Sequence, residues 1–383
     1  MKFFVRVLVI MFFFISIFNN NVIATDIQVM NSQKEELNIQ GFIKETEKYT
    51  KNVLGNTSIN DIFTSALTGQ IDNNTLFSKI LGIFGNEIKD SITMLGLILI
   101  IVIIHSILKS FTDGLESHSV SQITYYVQYI MIVTLIMKNF LSVINIIKES
   151  IQSLVGFSNN LIPILITLML TTGSISSATV IEPILLLLVT FIGNVIVDFL
   201  LPLILIATAL SIISKVSDKV QIDKISKFMK NGVVWVLGLV LTLFVSVVSL
   251  EGSLTSGVDG ITAKTAKAAV SNVIPVVGKI LGDAVDTVIG CSNILKNAVG
   301  IVGAVVIICI CITPIAKLLI LSVSYKLTSA VCEPLADKKI VDLLDQVGDT
   351  FKILLAVMVS VSVMLLIGIT LVLKISNSAL MYR

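Results

Sequence analysis

Apolar residues in this chain gather into long blocks separated by short polar runs, and the block lengths set the class of protein. Ser91–Leu108, Val120–Ile147, Ile184–Ile213, Gly232–Leu250, Ala298–Val323 and Phe351–Leu373 each run apolar for about 18 residues or more. As helices they are long enough to cross the ~30 Å hydrocarbon core of a bilayer. Two further stretches, Ile151–Gly173 and residues 259–295, interleave apolar residues with Asn, Pro, Lys or Asp and read as interrupted hairpins. The pattern predicts an all-α polytopic membrane protein with about six to eight transmembrane helices and broken or re-entrant helical hairpins.

The ends of the chain differ from its middle. Residues 1–24 have a short basic start (Lys2, Arg6), an apolar stretch from Val7 to Phe18, and Val22 and Ala24 at the small-residue positions before a cut. That is the form of a cleaved signal peptide, or else of an uncleaved first span. Residues 25–90 are polar. Leu37, Phe42, Ile43, Thr46 and Tyr49 space one amphipathic helix there, and Leu76–Ile88 makes another. This extracytoplasmic helical region docks on a partner or on the membrane portion, or stays a solvated juxtamembrane segment. Residues 91–383 form the transmembrane bundle.

Residues 259–302 carry the most unusual composition. Gly260–Ser271 and Val276–Gly290 each suit a short helix, with Asn272 and Pro275 between them, because proline removes a helix donor and clashes with the preceding turn. Gly278 and Gly282 share a bulk-free helix face that lets another backbone approach. Lys264, Lys267, Lys279, Asp283, Asp286, Asn293 and Lys296 cannot face lipid. They either line an aqueous path or subunit interface, or form the solvated side of an extramembrane hairpin. Asp198, midway along Ile184–Ile213, stands apart as a carboxylate that must face protein or water, in a functional role or a structural hydrogen bond.

Charge sets the orientation. Ser214–Asn231 holds five lysines opposite Val216, Val220, Ile225, Phe228 and Met229, which predicts an amphipathic interfacial helix on the cytoplasmic side. Tyr325–Thr350 reads as a second, mixed-charge loop on that side. The string Asn-x-Ile-Pro occurs at Asn160–Pro163 and again at Asn272–Pro275, 112 positions later. The same shift superposes residues 120–231 on 232–343 as repeat-like units, each a span, a broken hairpin, a second span and a cytoplasmic loop, followed by a final span at 351–373.

Composition closes off other classes. Hydrophobic residues make up 55% and charged residues 14%, with a mean hydropathy of +0.98, which excludes an ordinary soluble protein. A net charge of +2, with no basic cluster interleaved with aromatics, excludes nucleic acid as a partner. The four cysteines include no CxxC pair and have no histidine close in sequence, so neither a metal site nor a disulfide framework is expected. There is no complete phosphate loop, no GxSxG and no HExxH. The expectation is a protein without catalytic residues or cofactor.

The strings DGITAKTAK, NVIPVVGKILGDAVDTV and CSNILKNAVGIVG, placed after a signal peptide, a polar external region and several spans, resemble the stage III sporulation protein AE family of endospore-forming bacteria. The resemblance implies a subunit of the complex built across the two membranes between mother cell and engulfed forespore, lying in the mother-cell-derived membrane. It implies as partners the other stage III A proteins, including a cytoplasmic ATPase and ring-forming subunits, together with the stage II Q protein, and allows a homo-oligomer. Residues 259–295 would then form or line the conduit. An autonomous permease for a small solute and a non-conducting assembly scaffold are the alternatives.

Overall fold

A computed structural model describes residues 27–55, 58–68, 73–113, 118–216, 222–273 and 277–381. Among them every regular element is a helix. Three short helices lead: α1 (Ile27–Glu36), α2 (Ile39–Leu54) and α3 (Ile59–Thr68). Long ones follow: α4 (Asn73–Asp113), α5 (His118–Thr171), α6 (Ile175–Asn194), a π-helical segment (Val195–Leu200), α7 (Leu201–Val216), α8 (Asp223–Val273), α9 (Val277–Cys332) and α10 (Lys338–Met381). Five stretches of the described residues are long and apolar enough to cross a membrane: Tyr125–Thr171, Ile175–Lys215, Asp223–Leu250, Asp286–Cys332 and Lys338–Ile375. The chain is an all-α membrane protein.

Several elements that the pattern separates are continuous. Val120–Ile147 and Ile151–Gly173 form one 54-residue helix, α5, with Pro163 inside it, so the first hairpin is not broken. A proline in a helix interior costs about 3 kcal/mol. Here that cost is offset by burial on both sides of it, since Leu161, Leu165 and Ile166 are each at most 2% exposed. Pro314 likewise sits inside the 56-residue α9, which joins the second arm of the later hairpin to Ala298–Val323. The first arm is the end of the 51-residue α8. The later Asn-x-Ile-Pro string falls between α8, described to Val273, and α9, described from Val277, with residues 274–276 outside the described residues.

Proline leaves a different mark at Pro202. The helix runs on from Asn194 to Leu201 but widens between them, the Leu201 N–H donating to the Ile196 carbonyl five residues back. Pro202 has no N–H to offer the turn before it, and one extra residue in that turn absorbs the mismatch without a break.

The lysine-rich segment is no single interfacial helix. Ser214–Val216 close α7, residues 217–221 lie outside the described residues, and Asp223–Asn231 open α8. The mixed-charge loop also proves largely helical. Tyr325–Cys332 end α9 and Lys338–Thr350 begin α10, because Ile340, Leu343, Leu344 and Val347 put one apolar stripe on the bundle.

Helix α9 is the axis of the bundle. It packs against α4, α5, α8, α10 and all three N-terminal helices, and Val299, Val302, Val306, Ile307 and Leu318 along it are fully buried. Close approach is made by glycines. A Cβ at Gly303 would meet Leu161 Cδ2 at 2.6 Å, and one at Gly300 would meet Leu373 Cδ1 at 2.5 Å. Gly193 lies against Val155 in the same way across the α5–α6 pair. These helices turn back on one another at Gly173, whose φ of 85° a side chain would disfavour. Large apolar side chains are left outward on α4, α6, α7 and α8, among them Ile92, Leu187, Phe199 and Trp235, as a lipid-facing surface requires.

Candidate functional site

The residues singled out in the sequence are divided between two places. Lys264, Lys267 and Asn272 fall in the last turns of α8, and Gly278, Lys279, Gly282 and Asp283 in the first turns of α9. The backbone of all seven is helical, their side chains lie outside the description, and Pro275 is outside the described residues altogether. Farther along α9, Asp286 is exposed, Asn293 half-buried and Lys296 fully buried. A single helix thus carries its charges from an exposed end into the bundle. Asp198 is not part of this group. It is exposed on the π-helical segment between α6 and α7.

Where α9 enters the bundle, the N-terminal helices lie on it. Gln33 Nε2 donates to Ser292 Oγ at 2.9 Å and to the Val288 carbonyl at 3.2 Å. Asn160 Nδ2 donates to Glu45 Oε1 at 2.8 Å, and Phe42 and Tyr49 both pack on Phe157, with ring centroids 6.2 and 5.9 Å away. The stripe Ile39, Phe42, Ile43, Thr46, Thr50 and Leu54 of α2 is buried, while Lys44, Glu47, Lys48 and Lys51 face out. Residues 27–68 are thus docked on the membrane portion, one of the three fates the sequence allowed. Within this layer, partial burial holds Lys34 below the ordinary lysine range, and a hydrogen bond from Lys48 to Glu45 raises Lys48.

The opposite end of α9 is held by charge. Lys326 Nζ lies 3.0 Å from Asp345 Oδ1 and 2.9 Å from Asp349 Oδ1, and Lys215 Nζ lies 2.7 Å from Asp223 Oδ2 and 3.5 Å from Asp342 Oδ2. Lys230 is buried and donates to Ser211 Oγ at 3.3 Å and to the Gln346 carbonyl at 3.5 Å. Tyr125 and Tyr129 hydroxyls cap the Lys215 and Ile212 carbonyls at 3.1 and 2.5 Å. Every carboxylate on the inner face of α10 is thereby engaged by a lysine from another helix. The cluster fastens α7, α8, α9 and α10 together. Among the described residues no group of three His, Cys, Asp or Glu side chains could hold a metal ion.

At the depth between these two ends the centre is filled. Ser158, Leu161, Phe244, Ile307, Leu365 and Ile369 close around a small apolar cavity among α5, α6, α8, α9 and α10. The described residues thus make a helical membrane bundle with a small apolar cavity and polar devices at both ends of one axial helix. The model of the family described as Stage III sporulation protein AE matches residues 57–376. The Stage III sporulation protein AE of Bacillus subtilis (strain 168) is 32% identical over 298 residues, covering 78% of this chain and 75% of that protein. The chain belongs to the stage III sporulation protein AE family. No solved structure matches it.

The family match runs from residue 57 to 376, so α1 and α2 lie before it while the long helices lie within it except for the last five residues of α10. Sequence reasoning missed the lysine–aspartate lock. Its signal was present in Asp342, Asp345 and Asp349, whose i, i+3, i+7 spacing places three carboxylates on one helix face. Reading that stretch as a loop hid the face. It also missed Gly300 and Gly303, whose close contacts depend on which helix lies opposite.

Proposed function

We propose that this sporulation protein is a membrane subunit of the mother cell–forespore channel complex, which the forespore requires for development after engulfment. It lies in the mother-cell-derived membrane and forms or lines the conduit with residues of the α8–α9 hairpin. Its partners are the other stage III A proteins, including the cytoplasmic ATPase and the ring-forming subunits, and the stage II Q protein. The observation that carries the reading is family membership over residues 57–376 in a chain with five candidate membrane spans. The lysines and aspartates at 264–286, set where α8 turns into α9, support the placing of the polar wall.

One observation favours a non-conducting scaffold as a second reading. The cavity among α5, α6, α8, α9 and α10 is small and lined almost wholly by apolar side chains, a poor place for a polar solute to pause. The same observation weighs against an autonomous permease. Deletion of the gene, with sporulation followed by microscopy and a late forespore-specific reporter, tests the assignment. Arrest after engulfment with a silent reporter supports it, and normal spores refute it. Single cysteines at Lys264, Lys267, Lys279, Asp283 and Asp286 then separate conduit from scaffold, since a wetted wall reacts with an impermeant maleimide in the assembled complex and a packed one does not.

A further inference from the structure

Helix α5 carries polar side chains outward between stretches of outward apolar ones. Its register against the bundle is fixed at two levels. Phe140 packs on Phe351, which packs on Tyr325, while Leu161 meets Gly303, itself close to Ile369. Between Phe140 and Leu161 the helix rises about 32 Å at 1.5 Å per residue, close to the thickness of a hydrocarbon core. Over the same rise α9 runs from Gly303 to Val323 with Lys317 as its one charged residue, and α10 from Phe351 to Ile369 with Lys352 as its one charged residue. Asn145, Lys148, Glu149 and Gln152 fall midway, share one helix face and are all exposed.

The adjoining helix adds to the same place. Gly193 lies against Val155, which sets Asn194 and Asp198 of the widened turn level with those four, and both are exposed. In an antiparallel pair the two exposed faces turn to the same side of the contact. Along α5 the belt is bounded by outward Ile130, Met131 and Leu141 on one side and Leu170 on the other. Along α6 and α7 it is bounded by Leu187 and Phe191, then by Phe199 and Ile206. No ion pair joins Lys148, Glu149 or Asp198 to another described residue.

Unpaired charges of both signs do not face lipid at mid-depth, because each would cost roughly 2.5–3.5 kcal/mol or more there. Another surface must cover them. We propose that a second copy of this chain does so, the belt of one copy packing on the belt of the other about a twofold axis. The argument is charge complementarity. A patch holding one lysine beside two carboxylates fits a twofold image of itself, each Lys148 reaching the partner's acidic pair, and an isologous contact needs no second surface. The inference stands on the geometry of α5 and the π-helical segment and does not depend on the sporulation reading.

The test uses the full chain in its host membrane, with disulfide formation driven by copper phenanthroline. Gln152→Cys gives a covalent dimer, whereas Trp235→Cys on the outward face of α8 and the parent, whose four cysteines are buried, do not. Lys148→Glu and Asp198→Lys each lower the dimer fraction about tenfold, by setting like charges together, and the two changes combined restore it. That rescue is a readout a misfolded variant does not give. A monomeric parent with no Gln152→Cys dimer overturns the proposal, as does failure of the double swap to restore association. Rapid labelling of Gln152→Cys by an impermeant maleimide without crosslinking also overturns it, and makes the belt the wall of a water-filled path.

Discussion

Replacing Gly303 by alanine tests whether the bundle is held by close helix approach along α9. The added Cβ would stand 2.6 Å from Leu161 Cδ2, 3.3 Å from its Cδ1 and 3.5 Å from Ile369 Cδ1. Leu161 is 1% exposed and Ile369 7%, so neither has free space into which to turn. Overpacking of this kind costs about 1–3 kcal/mol, and alanine's better helix propensity returns about 1 kcal/mol, leaving a net loss of about 0–2 kcal/mol. That single value is too small to decide the matter. The decisive quantity is its coupling to Leu161→Ala, which alone opens a cavity and costs about 2–5 kcal/mol. In the double variant the new methyl group enters that cavity, so the two losses fall short of their sum by at least about 1 kcal/mol. Equilibrium unfolding of the four proteins in mild detergent, followed by circular dichroism, measures the cycle. Additivity within about 0.5 kcal/mol would refute the contact, and with it the register of α5 on α9 from which the depth of the polar belt is read.

Four further outcomes are expected. Gln33→Ala loses hydrogen bonds to Ser292 and Val288 and loosens the N-terminal layer by about 1–2 kcal/mol, seen as faster proteolysis within residues 27–68 with the long helices still protected. Asp349→Asn alters stability by no more than about 1 kcal/mol, because its pair with Lys326 is roughly half exposed and Asp345 remains. Lys230→Ala costs about 1–3 kcal/mol, since it leaves the buried Ser211 hydroxyl with one partner fewer and empties a packed site, and thermal denaturation of the two variants side by side ranks them. A cysteine at Asp286 reacts with an impermeant maleimide in the detergent-solubilised monomer while one at Lys296 does not, because the first position is exposed and the second fully enclosed.

How much of this was legible in the chain depends on the range of each interaction. Blocks of apolar residues gave the class and the order of the long helices, because burial in lipid or protein acts on every residue of a block and needs no knowledge of its neighbours. The amphipathic spacing of Leu37, Phe42 and Tyr49 likewise showed a helix with one face to cover, and α2 covers it against Phe157. What covers it could not be read, since Phe157 lies more than a hundred residues away in the chain. Lys296 shows the same limit. Its type and setting marked it as a residue to explain, but whether it met water or protein followed from the helices stacked around α9.

The prolines show why local rules failed where they did. Pro163, Pro202, Pro314 and Pro275 carry the same penalty, about 3 kcal/mol in a helix interior, and a sequence reading treats each as a stop. Pro163 and Pro314 sit in helices whose neighbouring residues are buried for several turns on both sides. Breaking either helix would expose more apolar area than the proline costs, so the helix continues. Pro202 follows a turn that could accept one extra residue, and the strain appears there as a π-helical segment whose widened turn carries Asp198 outward. Pro275 itself lies outside the described residues, between the end of α8 and the start of α9. Among the described residues, Pro163, Pro202 and Pro314 thus stay inside helices because the surrounding sequence keeps contributing to the core.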